Sequence, residues 1–287
     1  MRSVLRSIEV GKSALAGIGL RLRSRWTSQP VIGSSTNPVV CLTTFGHRAR
    51  TVHIGIESIA RGIQKPSRLI LWVDEDYLLR DPPKRLRRLQ RRGLEIIGTP
   101  NFGPHKKYYP YVVSKPQHTI ALVTADDDVL YPRRWLATLA QAYAQNPKTV
   151  TCFRANTIVF DQNRFAAYKT WPPCVGTTAK LTNVATGVSG VIYPPYFLDI
   201  LKAAGDGFLA DCFEADDIWL HWQATQNGIR IRQILSHQTD FRSIRSAQRS
   251  SLAMENVFNG RNDRFVSTLY SSRLIARIQS DVSSSEG

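Results

Sequence analysis

The sequence predicts one α/β domain on a mostly parallel central sheet, and three observations support that expectation. Short apolar runs alternate with amphipathic stretches through the first half of the chain. Several of those runs end in polar or acidic residues, as strands do where an open parallel sheet binds its ligands. The length, 287 residues, fills one large core and falls short of two full-sized domains.

Residues 1–38 read as a basic N-terminal tail or amphipathic helix followed by a linker. Val4, Leu5, Ile8, Leu15, Ile18 and Leu22 fall near one helical face, an interfacial pattern that Gly11, Gly17 and Gly19 weaken. From Gln29 to Pro38 the composition turns to Gly, Ser, Thr, Asn and Pro, which marks the linker. The domain is expected over 39–278. A β-branched run at 39–43 predicts a strand, a polar turn follows, and helical periodicity covers about 51–64. Strands at 69–73 and 94–97 flank a helix over 78–92 that Gly93 stops. Strand, helix, strand in this order demands parallel pairing through right-handed crossovers. After a Gly/Pro-bearing loop at 101–104, a strand over 119–124 runs into three aspartates. Helices are expected at 135–145, 195–203 and 216–226, and strands at 150–153, 156–160 and 191–193, with residues 279–287 a disordered tail.

The formal net charge of +16 favours anionic partners without choosing among nucleic acid, lipid and phosphorylated substrates. Cys41, Cys152, Cys174 and Cys212 form no CxxC pair, so neither a zinc site nor a disulfide framework is signalled, and a reducing cytoplasm is the simplest compartment. No run approaches the roughly 20 apolar residues of a membrane-crossing helix. In the run from Lys84 to Arg92, Leu86 and Leu89 form an apolar stripe, so its arginines read as a solvated helix face, with anionic lipid as the second reading. No nucleic-acid fold signature accompanies it, and no nucleic-acid partner is expected.

The chemistry concentrates at Asp126-Asp127-Asp128, at the end of an apolar strand. Three adjacent carboxylates repel one another, and a divalent cation or a helix terminus neutralises such a cluster. Alternate residues of an extended segment share a face, so Asp126 and Asp128 are the pair able to meet a cation and a nucleotide together. The competing reading is a turn with a helix N-cap ahead of Pro132.

This triplet resembles the DxD motif of GT-A glycosyltransferases. Cys41-Leu42-Thr43-Thr44-Phe45-Gly46-His47-Arg48 is similar to the opening strand and nucleotide loop of a bacterial branch close to glycosyltransferase family 2. Leu71-Trp72-Val73-Asp74 resembles its second strand, and Gly103 to Tyr109 its loop before the DxD strand; the similarity spans roughly Val39 to Leu269. The resemblance implies a GT-A fold, Rossmann-like, as in nucleotide-diphospho-sugar transferases. It further implies metal-dependent transfer of a sugar from a nucleotide-diphosphate sugar to an acceptor hydroxyl, with inversion, in cell-surface polysaccharide or glycoconjugate synthesis.

The same resemblance distributes roles. Thr43, Thr44, Arg48 and Asp74 become nucleotide contacts, although Asp74 also reads as a solvated strand-end acid beside Glu75 and Asp76. Lys106, slightly ahead of Lys107, would neutralise the departing pyrophosphate. Asp126 and Asp127 are donor contacts, and Asp128 with Asp126 would ligate Mn²⁺ or Mg²⁺, with His237 as a third ligand against the commoner reading of an ordinary histidine. Gly187 and Gly190 would let the backbone approach the donor sugar. In Phe213-Glu214-Ala215-Asp216-Asp217-Ile218-Trp219-Leu220, the resemblance assigns the catalytic base first to Asp217, then Asp216, then Glu214, while helix-dipole stabilisation of acids is the alternative. His221 is spaced to pair with Asp217. Asn256 to Asp263 also resembles the branch, without an assigned role.

A UDP-sugar is the expected donor, a glycan or lipid-linked molecule the acceptor, and the cytoplasm the location, with peripheral contact at an anionic inner membrane face as a further expectation. Two rival functions stand beside this one. A nucleotidyltransferase would use the same metal-binding acids to attack phosphorus, and a non-catalytic basic module would bind anionic lipid or polymer.

Overall fold

A computed structural model of the chain describes residues 17, 19–20, 22–244 and 260–283. The expectations for residues 1–16, 256–259 and 284–287 lie outside the described residues.

The first four strands are β1 (Val39–Thr43), β2 (Leu69–Val73), β3 (Leu94–Gly98) and β4 (Leu122–Ala125). They pair in parallel, β1 lying between β4 and β2, with Cys41 opposite Thr124 on one side and Ile70 on the other. β1 and β2 are almost wholly buried, as strands covered on both faces must be. Alternate side chains of β1 feed the two halves of the core: Val39 and Cys41 face one, Val40 and Leu42 the other.

Beyond the acidic triplet, β5 (Val129–Leu130) leaves the sheet and the helix Trp135–Gln145 follows. β6 (Val150–Cys152), β7 (Ala155–Thr157), β8 (Phe160–Asp161), β9 (Arg164–Phe165), β10 (Asn183–Ala185), β11 (Val191–Tyr193), β12 (Ile231–Gln233) and β13 (Arg242–Ser243) complete the strands among the described residues. The main sheet has the order β12-β6-β11-β4-β1-β2-β3, in which β11 runs antiparallel to both neighbours while the other pairs are parallel.

Several boundaries differ from expectation for local reasons. The helix expected over 78–92 is two helices, Asp76–Arg80 and Lys84–Gln90, because Pro82 and Pro83 cannot donate to a continuing helix. The helix after β1 ends at Ala60. The strand expected at 156–160 is divided between β7 and the β8–β9 hairpin, whose turn holds Gln162 at φ +54°. Val31 is fully buried and its N–H donates to the Arg92 carbonyl at 2.9 Å, so packed structure begins before residue 39. The boundary at 278 is also displaced. The helix Ser272–Ser283 continues through buried Asp281, which accepts the Leu181 N–H at 2.8 Å and holds Arg230 at 2.7 Å. No helix among the described residues is long and apolar enough to cross a membrane.

Candidate active site

A cleft of about 360 Å³ opens where β1, β2 and β4 end, the edge at which an open parallel sheet presents polar loops. Thr43, Arg48, Asp74, Lys106, Lys107, Asp126 and Asp127 line it, together with Phe45, Phe213 and Glu214. Segments far apart in sequence therefore meet across one hollow.

The triplet divides its labour. Asp127 points inward and is buried, accepting a hydrogen bond from the Thr44 hydroxyl at 2.7 Å and another from the Arg48 guanidinium at 2.8 Å. Burial pushes its carboxyl up, and Arg48 and Thr44 oppose that push. The guanidinium also lies 3.5 Å from Asp128. Burial, then the neighbouring charge of Asp126, raises Asp128 to about 6, against Arg48. The Asp126 backbone is fixed by its N–H donating to the Tyr131 hydroxyl at 2.7 Å, and its carboxylate meets Lys107 at 3.1 Å.

Lys107 joins this cluster to the second one. Its ammonium lies 3.3 Å from Asp216, at the start of the helix Asp216–Gln226. Burial alone would lower that ammonium, but Asp126, Asp216 and Asp217 outweigh it and hold it well above its ordinary value. Asp217 accepts the Gly187 N–H at 2.9 Å. Burial, then the charge of Asp216, lifts Asp217 to about 7, with Lys107 and the Gly187 N–H opposing. Lys106 turns instead to Asp74, at 2.6 Å across the cleft wall.

His105, which the sequence left without a role, ties these loops together. Stacked on Phe208 at 4.0 Å, it bonds the Tyr108 hydroxyl at 2.8 Å and the Cys212 carbonyl at 2.9 Å. Burial lowers its pKa to about 4, so the ring is neutral: Nε2–H donates to the carbonyl and Nδ1 accepts from the hydroxyl. The lysine loop is thereby anchored to the residues that lead into Asp216. A histidine inside the aromatic run at 105–111 was its only signal in the sequence.

No family model matches the chain, and no curated protein matches it by sequence. Its architecture does have solved counterparts. A crystal structure of S. aureus TarS, residues 1–349, superposes with TM-score 0.50 at 13% identity, covering 85% of this chain and 70% of that one. GalNAc-T7 with UDP, GalNAc and Mn²⁺ superposes with TM-score 0.51 at 11% identity, over 80% of this chain and 49% of that one. Both are GT-A glycosyltransferases. The chain has the GT-A fold. It spans about half of the GalNAc-T7 chain.

Within this GT-A frame the remaining predicted site residues have other partners as well. Thr44 is buried behind Asp127 and supports it, away from the cleft wall. The Thr43 hydroxyl is committed to the Trp72 carbonyl at 2.9 Å, stitching β1 to β2 beside the cleft. Gly190 serves the core: at φ +100°, a Cβ there would sit 2.7 Å from the Trp135 ring. Gly187 does lie at the acids, where a Cβ would meet Lys107 at 3.0 Å and Asp217 at 3.2 Å. His221 does not pair with Asp217; buried, it accepts from the Tyr270 hydroxyl at 2.6 Å and donates to the Leu181 carbonyl at 2.8 Å. His237 is exposed beyond β12, and no group of three or more His, Cys, Asp or Glu side chains among the described residues is arranged to hold a metal. The pair Asp126 and Asp128 still suits a hard divalent cation, which needs only one or two carboxylates beside diphosphate oxygens. Such a cation would relieve the Asp126 repulsion that adds to burial in raising Asp128.

Proposed function

We propose that the chain is a metal-dependent glycosyltransferase that moves a sugar from a nucleoside-diphosphate donor, a UDP-sugar first, onto a hydroxyl of a glycan or lipid-linked acceptor with inversion. The observation behind this reading is the Lys107 bridge, which brings Asp126 and Asp216 to one ammonium and seats Asp217 beside them. A phosphate-binding edge and a proton acceptor would thus meet around one ammonium.

The nucleoside belongs against Asp74, Lys106 and Phe45, where a carboxylate can accept from ribose hydroxyls or base N–H groups and an aromatic face can stack. Asp126 and Asp128 would hold Mn²⁺ or Mg²⁺, which supplies positive charge to the diphosphate leaving group. Lys107 offers a second, fixed positive charge at the same edge, already paid for by its three acidic neighbours. Asp217 takes the proton from the acceptor hydroxyl as that oxygen attacks the anomeric carbon. Its pKa near 7 suits a base working at neutral pH, and its bond to the Gly187 N–H fixes its orientation. Asp216, paired with Lys107, orients the ammonium.

The test is turnover of a panel of nucleotide sugars with Mn²⁺, reading the product released. Nucleoside diphosphate supports sugar transfer, pyrophosphate would make the chain a nucleotidyltransferase, and loss of neither donor nor metal dependence in Asp128→Ala would remove the triplet from the reaction.

A further inference from the structure

We propose that the face formed by residues 22–26, Arg61 to Ile63 and Arg133 is a docking surface for an anionic phospholipid bilayer. This surface is separate from the cleft and stands whether or not the cleft transfers sugars.

Residues 22–26 are helical, and Leu20 just before them is buried against Ile54 and Leu130, which seats this segment on the helix Val52–Ala60. Beside the exposed Arg25, apolar side chains turn outward: Leu22 is 50% exposed and Trp26 85%, one helical turn apart, and Ile63 is 54% exposed. Monomeric surfaces carry single apolar side chains without meaning, but here three lie among guanidinium groups. Arg61 caps the helix Val52–Ala60, and Ile63 N–H donates to the Arg133 carbonyl at 2.9 Å, which holds the two segments together.

Arg61 is pressed by burial and by the charges of Arg133 and Arg23, so its guanidinium is lowered from its ordinary value. Arg23 and Arg61 each keep a buried Nε–H with no hydrogen-bond partner among the described residues. Asp240, the acid of the adjoining hollow, is paired with Arg154 at 3.2 Å. Three like charges held together in this way are stabilised by a polyanion that supplies several oxygens at once. Phospholipid headgroups do so, and they do it at the depth where tryptophan sits, with the acyl boundary beneath to receive Leu22 and Ile63. Nucleic acid offers the phosphates but no place to bury aliphatic side chains. At about 1.5 Å per residue, the nine-residue helix Val52–Ala60 sets Arg61 roughly 14 Å along its axis from the loop that carries Arg48, so a docked face leaves the cleft open.

The experiment is flotation of the full chain with phosphatidylglycerol-containing phosphatidylcholine vesicles against phosphatidylcholine alone. The wild type should float with anionic vesicles only and be released by high salt. The variants R61Q/R133Q and W26S should each lose about tenfold or more in partitioning. Because Arg61→Gln removes repulsion, R61Q/R133Q should melt no lower than the wild type, and its donor-induced thermal shift should be unchanged. Equal flotation of variants and wild type, or equal flotation on neutral vesicles, would overturn the proposal. Stronger binding to single-stranded RNA than to vesicles, lost in the same variants, would overturn it in favour of nucleic acid.

Discussion

Asp217 is held by opposing influences, and their balance has two measurable consequences. As the proposed base it must be deprotonated, so kcat/KM should rise with pH through about 7, the value to which burial and Asp216 lift it. Asp217→Asn should lower kcat by about 10²–10⁴-fold while the donor still raises the melting temperature, because the proposed nucleotide contacts are Asp74 and Lys106, which pair with each other and not with Asp217. Stability responds in the opposite sense to activity. The folded pKa, about 7, lies above the ordinary 3.8, so the folded chain keeps a proton that the unfolded chain releases. This stabilisation is complete below the unfolded value and is lost as pH rises through the folded one. Urea midpoints should therefore fall across that window, and less steeply in Asp217→Asn; Asp128, raised to about 6, retains part of the slope. The acids themselves were visible in the sequence as a triplet and a pair. Which of them would turn inward was not, since the burial of Asp127 against Thr44 and Arg48 depends on a loop some eighty positions earlier.

Element by element, the strands and the longer helices follow from periodicity, because a run buried on both faces of a parallel sheet must be apolar throughout. Helix ends and partners follow from contacts instead. Arg92 closes a run that reads as a solvated face, yet it is buried against Glu57, with its Nε–H donating to the Gln29 carbonyl at 2.7 Å. Glu57→Ala would leave that guanidinium without its counter-charge, and chemical denaturation should show a loss of about 3–5 kcal/mol. The double variant E57L/R92M should recover most of it, because an apolar pair leaves no buried charge. Gly190 joins β11 to the helix Trp135–Gln145. Its positive φ and the Trp135 ring at 2.7 Å from a Cβ predict that Gly190→Ala costs about 2–4 kcal/mol, read as a lower melting temperature with the cleft chemistry otherwise intact.

For the molecule as a whole, donor and cation should act together. UDP with Mn²⁺ should raise the melting temperature more than the sum of the two alone, since the proposed ligands Asp126 and Asp128 would bind a cation best when diphosphate oxygens complete its shell. Additive shifts would separate the nucleotide cleft from the acids. By itself, the sequence determined the parallel half of the sheet and the position of the triplet at a strand end, because period and strand order are local properties. It carried the GT-A resemblance through short motifs in a demanding order. Only the tertiary structure decided that β11 enters antiparallel between β4 and β6, that the lysine bridging the clusters is Lys107 rather than Lys106, and that His221 bonds Tyr270 and the Leu181 carbonyl. Those outcomes rest on contacts between residues some twenty to more than a hundred positions apart and on burial, which lifts the carboxyls of Asp127, Asp128 and Asp217, and spacing along a chain encodes neither.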